Sequence, residues 1–169
     1  MTVQTTVNQY QVLGVPGEFA DDSPSRVTPY SCLANSGAQP TVGYVFTQGS
    51  ADNEAVVGGS GAYLGVLVEP KQYANYANLN ASLVVKAGTN GEICDMGHIY
   101  VKSAAAFAPG YLAEYEPSTG AISAIEDTLS SATAVQVPNA RFIKVSGAAN
   151  SVGILELGAF GVPEAKAYS

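Results

Sequence analysis

Short apolar runs, each cut off by Gly, Pro, Asn or Ser, succeed one another along this chain and leave no room for long amphipathic helices. "TVGYVFTQ" (41–48) alternates and is rich in β-branched and aromatic residues, as a strand requires. "AYLGVLVE" (62–69) follows a "GGSG" loop, and "ASLVVKAG" (81–88) places Leu83 and Val85 opposite Val84 and Lys86. Asn90-Gly91 is the strongest short hairpin signal in the chain, because both residues tolerate positive φ. "HIYVKS" (98–103) alternates again, with Ile99 and Val101 on one face.

The second half repeats this grammar. "GYLAEYEPSTGAISAI" (110–125) reads as strand, turn and strand, with Pro117-Ser118-Thr119-Gly120 as the reversal. "TAVQV" (133–137) is expected to stop at Pro138. "RFIKVSG" (141–147) and "VGILELGAF" (152–160) follow, with Ile143, Val145, Leu155 and Leu157 as inward candidates. Only "EPKQYANYANLN" (69–80) suggests a helical turn, with Pro70 at its start. The fold class is therefore all-β: an antiparallel, jelly-roll-like sandwich or barrel. Residues 1–25 read as an extended N-terminal arm and residues 26–169 as the body.

The surface is unusual. Only 12% of the 169 residues are charged, half of the ~25% typical of globular chains. A surface solvated by neutral polar groups and Tyr suits a protein packed against others. The net charge of −7, with Lys and Arg scattered at seven positions, excludes a phosphate-tracking face, so no nucleic-acid partner is expected. No apolar run approaches the ~20 residues of a membrane span, so no membrane partner is expected either. Residues 2–26 show no signal-peptide pattern, and Cys32 and Cys94 are expected as buried free thiols.

No chemistry-bearing constellation emerges. "CDMGH" (94–98) gathers Cys94, Asp95 and His98, and an unbroken strand would put Cys94 and His98 on one face. Yet His98 is the only histidine, and a structural zinc site needs four N or S ligands. Ser60 lacks a strand-to-helix elbow, and its Gly-rich loop lacks a phosphate-binding Lys. The carboxylate pairs Asp21-Asp22, Glu114/Glu116 and Glu126-Asp127 sit beside turns, where solvated acids are common. No catalytic residue, metal ligand or cofactor is expected.

"QTTVNQYQ" (4–11), followed by "GVPGEFADDSPSR" (14–26), resembles the start of the head-decoration or structural cement proteins of tailed bacteriophages. The match runs through Gly17, Glu18, Phe19 and Ala20, then Pro24 and Arg26, with Ser25 separating a Pro-Arg step that the family usually joins. "TVGYVF" (41–46), "AYLGVLVEPKQYA" (62–74) and "GHIYVKSAAAFAPGYLAEYEPSTGAI" (97–122) are similar in pattern to its body strands and central hairpin. Glu69-Pro70-Lys71 replaces a more basic stretch, and "GVPEAKAYS" (161–169) has no counterpart.

The resemblance implies a non-enzymatic virion protein that reaches the outer capsid surface after synthesis in the host cytoplasm. There it would bind the expanded head and bridge subunits of the major capsid protein. Self-association is expected, a dimer in preference to a trimer, because related cement proteins often pair. The arm would add a strand to another subunit's sheet edge, with Thr5, Val7 and Gln9 facing one way and Thr6, Asn8 and Tyr10 the other. The alternative is a β-sandwich binding module or fibre subunit recognising surface glycans through its tyrosines.

Overall fold

The structure is a computed structural model and describes residues 14–68 and 83–168. The expected arm residues Thr5, Thr6, Val7, Asn8, Gln9 and Tyr10, and the expected helical turn at 69–80, lie outside the described residues. The described residues form nine strands and no helix: β1 (Arg26–Leu33), β2 (Val45–Gln48), β3 (Glu54–Val57), β4 (Tyr63–Val68), β5 (Thr89–Lys102), β6 (Leu112–Tyr115), β7 (Ile122–Ile125), β8 (Val135–Ile143) and β9 (Val152–Leu157).

β5 organises the fold. It has 14 residues, and at ~3.3 Å per residue it reaches about 45 Å. Its first part pairs with β1 on one side and β4 on the other. β2 links β4 to β3, and β3 lies beside β1, so β1-β3-β2-β4-β5 closes into a five-stranded ring. A ring with an odd number of strands cannot alternate direction throughout. One neighbouring pair must be parallel, and here it is β1–β3, registered at Ser31 and Glu54.

The second part of β5 starts the other sheet, β5-β9-β8-β6-β7, in which every pairing is antiparallel. This sheet curls back on its first strand through a short contact rather than a ladder. Ala104 N donates to Ile122 O at 3.0 Å, and Ala124 N donates to Ser103 Oγ at 3.1 Å. The architecture is thus an all-β, barrel-like pair of sheets joined by one strand.

Two cores result. Val45, Val66, Val68, Cys94, Ile99, Val101, Phe142 and Leu155 belong to the larger one. Cys32, Phe46, Val57, Leu67 and Ile93 belong to the smaller one. β2 and β4 stand between them, sending Val45 and Val66 one way and Phe46 and Leu67 the other. That is why these strands are apolar on both faces rather than alternating. β5 feeds both cores through a bulge. Val27 faces Cys94 while Arg26 faces Met96, so Asp95 is an extra residue. The insertion exchanges the faces, and Cys94 joins Ile99 and Val101 on the larger core.

Several expectations need correction. Asn90-Gly91 is not a turn but lies inside β5. A Cβ on Gly91 would meet Cys32 Sγ and Leu67 Cδ1 at 2.6 Å, so this glycine serves close packing. The reversal comes earlier, where Thr89 N donates to Lys86 O at 3.2 Å. "ASLVVKAG" is not a strand over its described residues. Val84 forms an isolated bridge with Thr41, although Val85 is buried and Val84 and Lys86 are exposed as the alternation requires.

β8 does not stop at Pro138 but passes through it. Its register against β6 shifts between Gln136 and Arg141, and Asn139 there has φ 51°. Pro138 thus sits in an irregular stretch where no ladder N–H is required. The same irregularity changes the inward set: Phe142 is fully buried, whereas Ile143 and Val145 are half-buried. Leu155 and Leu157 are buried as expected.

Candidate functional site

The segment matched to the family motif is fastened to the body before β1 begins. Val15-Pro16-Gly17-Glu18 forms a turn, with Glu18 N donating to Val15 O at 3.0 Å. Proline at the second position and φ 91° at Gly17 are what a type II turn demands, so Gly17 has a backbone reason. Glu18 caps the turn by accepting from Val15 N through Oε2 at 3.0 Å.

From the turn the chain runs antiparallel beside β5. Gly17 N donates to Tyr100 O at 2.7 Å, Tyr100 N to Glu18 O at 2.9 Å, and Ala20 N to His98 O at 2.8 Å, with Phe19 opposite Ile99. Residues 17–20 therefore occupy the same edge of β5 that β1 takes farther along. The "GEFA" element is a root, and its alternation leaves Val15 and Phe19 exposed.

A polar clasp reinforces this root. Lys144 Nζ lies 2.5 Å from Asp21 Oδ2, and His98 Nδ1 lies 2.8 Å from the same oxygen. His98 Nε2 is 3.8 Å from Glu156 Oε1, and Arg141 Nε donates to Glu156 Oε2 at 2.7 Å. Five side chains from the root, β5, β8, its exit and β9 thus form one chain of polar contacts, with Asp21 paired to Lys144, Glu156 paired to Arg141 and His98 between the two carboxylates. Lys144, with Ser23 and His98 beside it, holds the Asp21 carboxyl well below the usual carboxylate range. A lowered folded-state value means the contribution is complete above the ordinary 3.8 and is lost as the pH falls below it. In Asp21→Asn we expect faster proteolysis within residues 14–25 at neutral pH, with the melting of the body nearly unchanged. Equal cleavage of both proteins would show the clasp to be idle.

Arg26 closes the root. Its Nε and Nη2 grip Asp95 at 2.7 and 2.6 Å, the carboxylate being that of the bulge residue in β5. Pro24 and Ser25 lie exposed between the two anchors. A surface cavity of about 190 Å³ opens beside this pair, lined also by Tyr63 and Asn139. The Tyr63 hydroxyl is buried without a hydrogen-bond partner among the described residues, and burial pushes its pKa up.

The residues weighed for chemistry are not brought together. The bulge at Asp95 separates Cys94, which faces the larger core, from His98, which faces the clasp. Burial pushes both thiols up, Cys32 to about 11, and each cysteine lies in a different core. Ser60 is exposed in its loop, whose neighbour Gly59 donates to Pro117 O at 2.7 Å. Glu114 is buried, and both its oxygens are taken by Ser130, through N at 2.9 Å and through Oγ. Asp127 pairs with Lys166. Among the described residues, no group of three His, Cys, Asp or Glu could hold a metal. The clasp partners Lys144 and Glu156 carry no local signal in the sequence, because Lys144 pairs with Asp21 across 123 residues and Glu156 with Arg141 across 15.

A family model described as structural cement protein (E217 gp24/Pam3 gp6) matches residues 3–158. Among solved structures, a chain from "The capsid of Myoviridae Phage XM1" is similar, with a TM-score of 0.62 and 15% identity over 92% of this chain and 97% of that one. At this identity the likeness concerns the fold. No curated protein matches the chain.

Proposed function

The chain belongs to the structural cement protein family, a structural component of the bacteriophage capsid, and from this premise we propose that it binds the outer surface of the expanded head and bridges neighbouring subunits of the major capsid protein. The observation that carries the reading is the extent of the family match, residues 3–158, which takes in both the root and the body. The low share of charged residues, 12% of the chain, supports it. Contacts that rest on few ion pairs lose little to salt, and a shell under internal pressure gains from such contacts.

The two parts of the chain divide the work. The body self-associates, as a dimer on local two-fold axes in preference to a trimer, since closed symmetry lets one copy's grip reinforce another's. Residues 1–13 carry the reaching arm, with Thr5 to Tyr10 adding a strand to a capsid sheet edge. The root at 14–25 gives that arm a fixed starting point. Its work is contact, and no reaction is assigned to it.

Purified protein added to expanded heads that lack it should appear by electron microscopy as density on the outer surface, at boundaries between capsid subunits. Heads that stay bare at saturating protein would overturn this reading, and binding to a glycan array would favour the adhesin module instead.

A further inference from the structure

β1 has a neighbour on both sides only at its end. It pairs with β5 from Arg26 to Cys32, but its parallel ladder with β3 covers Ser31, Cys32 and Leu33 alone. Along residues 27–30 the side of β1 away from β5 carries no main-chain hydrogen bond among the described residues.

Main-chain groups alternate from side to side along a strand. Ser31 N donates to Asn53 O at 2.8 Å, on the β3 side, whereas Cys32 O accepts from Gly88 N at 2.7 Å, on the β5 side. Val27 and Pro29 share the side of Ser31, so they are the residues an incoming strand would meet. Pro29 is exposed, and its ring stands where an N–H would point. The proline therefore removes no bond to β5, and it takes a donor away from the open edge.

Other edges in the fold are closed by cover. β7, last in its sheet, is met by Ala104 N on Ile122 O and by Ser103 Oγ on Ala124 N. Beyond its ladder with β9, β8 is met by the tail, through Ala159 N on Asn139 O and through Gln136 on Pro163 and Ala165. At β1 a proline stands in place of such a cover. An open edge is a template for any β-prone segment. Every copy of this chain brings one, the uncharged "TVQTTVNQYQV" (2–12).

We propose that Pro29 closes the β1 edge to the arm of a second copy, and so keeps arms from linking copies of this chain to one another. The inference deepens the strand-adding reading of residues 1–13 and rests on it. Around the proline, Val27, Thr28 and Tyr30 are uncharged and β-prone, and would otherwise favour pairing. A strand laid there loses a ladder bond at residue 29 and meets the ring in the middle of its register. The arm is thereby left for the sheet of a different protein.

The test is Pro29→Thr, with and without residues 2–10, followed by sedimentation over a range of concentrations. Pro29→Thr should form species larger than those of wild type, growing with concentration, and removal of residues 2–10 should return it to the wild-type size. Sedimentation of Pro29→Thr identical to wild type would overturn the inference. Larger species that persist without residues 2–10 would overturn the choice of the arm as the excluded strand. Hydrogen exchange on wild type reads the edge whether or not the variant folds. Val27 N–H should exchange quickly, and the N–H groups of Thr28 and Tyr30, which face β5, slowly. Protection of Val27 would mean that the edge is already covered, and would equally overturn the inference. None of these measurements uses heads, so a failure here is distinct from a failure of wild type to bind them.

Discussion

Phe142→Ala should destabilise the protein by about 3–5 kcal/mol, the usual cost of emptying a large aromatic site in a packed core. Phe142 is fully buried in β8, and its ring stacks on Phe107 with centroids 5.0 Å apart. Its backbone is also engaged, with N donating to Tyr111 O at 2.8 Å and O accepting from Gly110 N at 2.8 Å. Those bonds hold the main chain in place after truncation, so the site cannot collapse easily and a cavity remains.

Phe107 in turn fills the space that side chains on Gly147 and Gly153 would need, where added Cβ atoms would come within 2.6 Å of its ring. Losing its stacking partner leaves that ring supported on one side only. The loss is a large share of the ~5–15 kcal/mol that stabilises a domain. For a chain of this size it corresponds to a fall in Tm of about 6–20 °C. Urea unfolding with tyrosine fluorescence would measure it. A change below about 1 kcal/mol, inside the range of surface substitutions, would mean that β8 packs differently.

This residue also shows where the sequence stops being readable. The short alternating runs correctly predict an all-β chain, and the β6–β7 hairpin falls around Pro117–Gly120. In β9, Leu155 and Leu157 point inward as the alternation requires. Where a strand stays regular, period two is enough.

Two irregularities defeat it. In β8 the shift around Pro138 and Asn139 exchanges the faces, so Phe142 rather than Ile143 enters the core. In β5 the extra residue Asp95 does the same and dissolves the grouping read from "CDMGH". Pro138 marks the first only as a break, and Asp95 has no local marker, since a bulge is decided by the partner strand. Asn90-Gly91 misled for a related reason. Gly91 is needed because Cys32 and Leu67 press on it, and a sequence does not announce a tertiary approach.

The functional parts divide along the same line. "VPGE" carries its type II turn openly, and the motif residues Gly17 to Ala20 do form one structural unit on β5. The clasp of Asp21, His98, Lys144, Glu156 and Arg141 joins four distant places in the chain and was not legible.

Removing residues 2–10 should leave a folded, self-associating protein whose binding to expanded heads falls by ~10²-fold or more, the scale that a second linked contact supplies. The deletion ends before Gly14, so the turn at Pro16-Gly17, the ladder along β5 and the clasp at Asp21 all remain. Melting and sedimentation should therefore match wild type, and pull-down with heads should not. The mechanism can be tested more narrowly. Strand addition works through main-chain hydrogen bonds and tolerates exchange of polar side chains, but a proline removes a donor and fixes φ. Shuffling Thr5, Thr6, Asn8 and Gln9 among themselves should preserve binding, whereas Val7→Pro should lose most of what the deletion loses. Full binding by both the deletion and Val7→Pro would show that the body alone holds the capsid. Loss on shuffling, with Val7→Pro tolerated, would mean that the arm is read by its side chains and adds no strand.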